Sequence, residues 1–109
     1  MKLNYEGLKD TQGWEKAGVT LPKFDWKKMC EETEKNPVWL HFGAGNIFRG
    51  FIADLQQVLL EEGCETSGIV AADTFDYDII DKIYTPYDSM TMMVSLKPDG
   101  NTDKKVIAF

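Results

Sequence analysis

Cysteine and histidine are scarce in this sequence: two cysteines and one histidine in 109 residues. No CxxC pair occurs, and Cys30 and Cys64 stand far apart, so metal-ligand spacing is missing and no metal site is expected. Free, buried thiols in a reducing compartment are the expectation. Long apolar runs are absent as well, and none approaches the ~20 residues that a bilayer-spanning helix needs. The opening residues, Met1 to Glu6, lack the apolar stretch of a secretory signal, which suggests a cytoplasmic location without membrane contact. Positive charge is in deficit. Twelve basic residues against 18 acidic ones leave a net charge of −6, which argues against a nucleic-acid partner. Repeats and low-complexity tracts are lacking too. What is present suffices for one domain: 43% of residues are hydrophobic and 12% aromatic, enough for a real core.

Residues 1–36 read as a packed, partly helical N-terminal extension, broken by Gly7, Gly13, Gly18 and Pro22 and anchored by Leu8, Trp14, Leu21 and Phe24. Within it Asp25 caps a helix whose apolar positions, Trp26, Met29, Cys30 and Thr33, recur at helical spacing until Asn36-Pro37 ends it. Residues 37–109 then alternate in type. Val38–Phe42 suits a short buried parallel strand. A helix over about residues 47–62 should bury Phe48, Phe51, Ile52, Leu55 and Leu59, with Gly63 as a left-handed cap. Gly68–Ala72 is a second strand. A third helix should start near Asp76, bury Ile79, Ile80 and Ile83, and stop before Pro86. Period-two alternation over 90–96, with its methionines as core filler, then a turn at Pro98–Asn101 and a strand over Val106–Phe109, predict a terminal hairpin. Strand–helix–strand–helix–strand is the start of a doubly wound α/β sheet of Rossmann type, of which about one half is present.

The first strand runs into Gly43-Ala44-Gly45-Asn46-Ile47-Phe48-Arg49-Gly50, which opens a helix. Chemistry explains that placement. Glycine at 43 permits a tight strand-to-helix turn, and glycine at 45 removes the side chain that would keep a pyrophosphate from the backbone. The helix start offers free N–H groups and a partial positive charge to phosphates. Asp73 closes the second strand, roughly 20 residues beyond the turn, where a carboxylate accepts from ribose hydroxyls and repels a 2′-phosphate. The expected cofactor is therefore NAD, held by Gly43, Ala44, Gly45, Asn46, Ile47 and Asp73. Asp76 is a second ribose candidate, though chiefly a helix cap, and Arg49 either approaches an anion or is simply exposed. The third glycine of G-x-G-x-x-G falls at Phe48, so the helix–strand contact there must differ, with Gly50 as a site of relief. His41 reads as a packed strand residue rather than a base.

The run His41-Phe42-Gly43-Ala44-Gly45-Asn46-Ile47-Phe48-Arg49-Gly50-Phe51-Ile52 resembles the N-terminal cofactor motif of the mannitol dehydrogenase family, the polyol-specific long-chain dehydrogenases. Members often lack the third glycine and carry arginine at the position of Arg49. Asp73-Thr74-Phe75-Asp76-Tyr77 and the hairpin through Leu96–Gly100 are similar to the uronate-type members. The resemblance implies an NAD-dependent oxidoreductase that interconverts a keto-uronate or keto sugar with its aldonate or polyol. It also implies that the catalytic lysine, asparagine and histidine lie in a C-terminal domain outside this chain, so no catalytic residue is assigned here. Two other readings stand beside it: a nucleotide-binding regulatory module without catalysis, and a structural α/β domain with an empty turn. A half sheet should expose the edge of Val38–Phe42 and favour self-association.

Overall fold

The computed structural model describes residues 1–109 as a mixed α/β arrangement with two small sheets. A 3-10 turn at Gly7–Lys9 leads into α1 (Thr11–Lys16), β1 (Val19–Thr20) and α2 (Trp26–Lys35). Asp25 starts α2 as expected, its carboxylate accepting the Lys28 N–H at 3.0 Å. β2 (Leu40–Phe42) pairs in parallel with β3 (Val70–Ala72), and between them lie a π-turn (Phe48–Ile52) and α3 (Ala53–Glu61). After β3 come α4 (Tyr77–Ile79), a second π-turn (Ile80–Tyr84) and a 3-10 turn (Thr85–Tyr87). The chain closes on an antiparallel hairpin of β4 (Thr91–Leu96) and β5 (Thr102–Ile107). No helix is long and apolar enough to cross a membrane.

β5 sits between β4 and β1 in the three-stranded sheet, so residues 19 and 20 supply a parallel edge strand to the hairpin. Successive side chains of a strand point to opposite faces. Val106 accordingly enters one core cluster with Leu8, Trp14 and Met29, while Ile107 enters another with Phe48, Ile69 and Tyr84. One strand thus ties the N-terminal segment to the rest of the molecule.

Several expectations give way to longer-range packing. The helix after the glycine turn opens as a π-turn, with Ala53 N–H reaching back to the Phe48 carbonyl. Its buried face is only partly the expected one: Phe48 is buried, but Phe51, Leu55 and Leu59 are exposed, and Ala53, Gln56, Gln57 and Leu60 are buried in their place. The glutamines belong inside because their amides satisfy backbone groups. Gln56 Nε2 donates to the Ser67 carbonyl at 2.8 Å, Gln57 Nε2 donates to Val106 O at 3.0 Å, and Gln57 Oε1 accepts from Ala108 N–H at 2.7 Å. The third helical segment stops at Tyr84, before Pro86 as expected, and Pro86 then sits in the first turn of a 3-10 segment, where its missing N–H is not needed. Ile83 is exposed, and Met92 faces outward from β4. Pairing of the last strand starts at Thr102 rather than Val106. The two cysteines are free, but Cys30 is only half-buried and Cys64 is exposed, because it follows Gly63 out of the helix.

The expected burial of Val38–Phe42 is corrected too. Only Leu40–Phe42 pair, on one edge, and Val38, Leu40 and Phe42 are exposed. A strand with a single neighbour keeps its other edge open to solvent.

Gly68, just before β3, is a close-packed point. A Cβ there would lie 2.5 Å from Met29 Sδ and 2.6 Å from the Phe109 carbonyl carbon. The sulfur can swing away, but the backbone cannot. Gly68→Ala is expected to destabilise the protein by about 1–3 kcal/mol, read from the midpoint of urea unfolding. An unchanged midpoint would show that the segment around Phe109 yields freely.

Candidate functional site

The carboxyl ends of the parallel strands β2 and β3 open at the same rim. Phe42 lies opposite Ala72, and the next residue, Gly43, donates its N–H to the Ala72 carbonyl at 2.7 Å. The glycine turn and Asp73 therefore leave adjacent strands side by side, and they do so because a three-residue register holds them there. Gly43 has a φ of +112°, a region that residues with a Cβ rarely enter. Ala44 is fully buried, and its carbonyl accepts from the Tyr84 hydroxyl at 2.9 Å. Gly45 faces the other way: a Cβ placed on it would meet nothing within 4 Å.

That open side borders a groove of about 340 Å³ whose lining includes His41, Gly43, Gly45, Asn46, Ile47 and Ile52. Ile47 is 81% exposed at its lip. The helical hydrogen-bond ladder starts with Arg49 N–H on the Gly45 carbonyl at 3.1 Å, so the N–H of Gly45 has no acceptor within the chain. Unfilled donors at a helix start attract anions.

The Asp73 carboxylate is held below the usual carboxylate range, chiefly by the backbone N–H of Asp76 and next by that of Phe75. Those two donors both reach Oδ1, at 2.8 and 3.0 Å. Asp73 follows Ala72, whose carbonyl accepts from Gly43 N–H, so it leaves the sheet beside the glycine turn. At neutral pH it is ionised and accepts hydrogen bonds only. Asp76 caps the helix that follows, its Oδ1 accepting from Ile79 N–H at 3.2 Å.

Arg49 leans back over the protein: a guanidinium N–H bonds Asn46 Oδ1, and the group stands 5.9 Å from the centre of the Tyr84 ring. Its Nε is buried without a partner. His41 is half-buried rather than embedded in a core, with its ring 4.5 Å from that of Phe48 and Nδ1 at 3.2 Å from the Gly43 carbonyl. Phe48, standing where the third glycine would fall, is almost fully buried and meets Phe109 edge-on at 5.0 Å. Gly50, inside the π-turn, is not a site of relief. A Cβ at Gly50 would touch only Met93 Sδ, at an ordinary 3.9 Å.

Sequence reasoning missed Tyr84 at this site. It lies forty residues beyond Ala44, and nothing in its local pattern marks it as a partner of the turn.

No family model matches the chain. A solved structure, the crystal structure of D-sorbitol dehydrogenase in substrate-free form, aligns with 84% of this chain at a TM-score of 0.67 and 24% identity, over 18% of its own length. The fold is thus a mixed α/β one shared with part of a dehydrogenase. Among curated proteins, the D-mannonate oxidoreductase of Thermotoga maritima is 51% identical over 108 residues, which is 99% of this chain and 20% of that protein. Such identity makes the chain a relative of that oxidoreductase, in line with the resemblance read from residues 41–52. The chain spans about a fifth of the length of both proteins it matches.

Proposed function

We propose that this chain is the cofactor-binding N-terminal part of an NAD-dependent oxidoreductase that interconverts a keto-uronate or keto sugar with its aldonate or polyol, of the fructuronate/mannonate or fructose/mannitol type. One observation carries the reading: the glycine turn and Asp73 emerge together from the carboxyl ends of adjacent parallel strands, joined by a right-sized helical connection. Crevices at that end are where open α/β sheets take their ligands. The residues fit a dinucleotide. Gly45 leaves open the space a side chain would fill, its N–H is free, and an ionised carboxylate stands one strand away.

In this reading residues 37–109 are the first half of a Rossmann-type domain and residues 1–36 an extension packed on it. Gly43, Ala44, Gly45, Asn46 and Ile47 hold the pyrophosphate, and Asp73 takes the adenosine ribose. A bound nicotinamide supplies the hydride chemistry, and the chain's own task is to hold and orient it. The groups that polarise the carbonyl and move the proton belong to the remaining four-fifths of a protein of the relative's length. Separated from such a partner, the open edge of β2 is a surface for self-association.

Asp73 supplies the test. NAD is expected to bind about tenfold or more tightly than NADP, ~1.4 kcal/mol, because a 2′-phosphate meets a fixed negative charge. Asp73→Ala should bring the two affinities together. Calorimetry on the full-length oxidoreductase reads both. Equal affinities before mutation would remove Asp73 from the ribose site.

A further inference from the structure

We infer that Tyr84 is a positioning residue for the glycine turn: its hydroxyl fixes the Ala44–Gly45 peptide so that the Gly45 N–H faces the groove. The phosphate-donor role of that N–H rests on the dinucleotide reading above, whereas the orientation of the peptide does not.

The geometry is that of one peptide plane. The Ala44 carbonyl turns inward to accept from the Tyr84 hydroxyl at 2.9 Å, and Ala44 itself has no exposed surface. All peptide bonds in the chain are trans, and in a trans peptide the N–H points opposite to the C=O. Drawing the carbonyl into the core therefore drives the next N–H, that of Gly45, out of it. This N–H finds no acceptor in the chain, and around Gly45 the space is open. Without such an anchor the Ala44–Gly45 peptide is softer, because Gly45 adds little steric restraint on its side.

Tyr84 is suited to the task because it is held from three directions. Its ring packs edge-on against Phe109 at 5.8 Å, and Phe109 packs against Phe48 at 5.0 Å. The Arg49 guanidinium covers the ring at 5.9 Å. Its own carbonyl accepts from Ser89 N–H at 2.9 Å, in a turn where Asp88 and Ser89 adopt φ values of 50° and 59°. Burial above all pushes the phenol up to about 12, so the hydroxyl keeps its proton and donates. The residue that aims the turn thus arrives from the end of the third helical segment, the same segment that Asp73 and Asp76 initiate.

Tyr84→Phe isolates the hydroxyl, since the ring contacts survive. Two measurements on the full-length oxidoreductase read the outcome. Nitrogen-15 relaxation dispersion without ligand should show exchange broadening of the Gly45 amide in Tyr84→Phe, while the amides of α3 keep their wild-type behaviour. Titration with NAD should show roughly fivefold weaker binding, the scale of one net hydrogen bond. A sharp Gly45 amide together with wild-type NAD affinity in Tyr84→Phe would overturn the assignment and leave the cofactor site standing. If the wild-type full-length protein fails to bind NAD, the cofactor reading falls, and the Gly45 amide alone decides the positioning role. Broadening spread through α3 and α4 would mean a general loss of packing and also overturn it.

Discussion

Gly45→Val is expected to weaken NAD binding at least tenfold, ~1.4 kcal/mol or more, with little effect on the unliganded fold. The two halves of that expectation have separate causes. A Cβ at residue 45 meets no atom within 4 Å, and the residue is not among the positive-φ glycines, so the free protein can accept the side chain. The same open space is where a pyrophosphate must approach the backbone, and a branched side chain occupies it. Gly43 is the instructive contrast. With a φ of +112°, Gly43→Val strains the turn itself and would mix folding with binding. Calorimetry for affinity and a thermal scan for stability separate the effects. A Gly45→Val protein that binds NAD as the wild type does would move the cofactor away from this turn.

Gln57→Leu is expected to cost about 2–4 kcal/mol of stability and lower the thermal midpoint by roughly 10 °C or more. The Gln57 amide acts as a short piece of strand. Its Nε2 donates to the Val106 carbonyl at 3.0 Å, and its Oε1 accepts from the Ala108 N–H at 2.7 Å. Both backbone residues are buried, so water cannot replace the lost partners. Leucine matches the size of glutamine but leaves one donor and one acceptor unsatisfied, each costing about 1–3 kcal/mol before the gain from added apolar surface. Denaturant unfolding checks it. A loss under about 0.5 kcal/mol would mean that the strand end readjusts to find other partners.

These two predictions rest on features of different visibility. The glycine turn was legible from residue order, because strand, glycines, helix and a following aspartate occur in the spacing that phosphate and ribose require. The buried glutamines were not. Apolar periodicity pointed to Phe48, Phe51, Ile52, Leu55 and Leu59 as the inner face of the helix; Phe48 is buried, but Phe51, Leu55 and Leu59 are exposed. Periodicity reports which residues dislike water. It does not report which surface of the fold is available to cover them, and polar side chains with backbone partners can claim that surface instead.

Residue order alone sets the short-range chemistry. The Asp25 and Asp76 caps reach donors three residues ahead, Gly63 closes its helix in the left-handed conformation, and the 91–96 alternation makes a strand. Each outcome depends on a few neighbouring residues, so local order suffices to read it. Longer-range packing settles the rest: the pairing of β1 with β5, the π-turn over Phe48–Ile52, and the bond from Tyr84 to Ala44. Those contacts join residues some thirty to ninety positions apart or depend on the shape of the space between elements, and no local pattern encodes which distant group will occupy it.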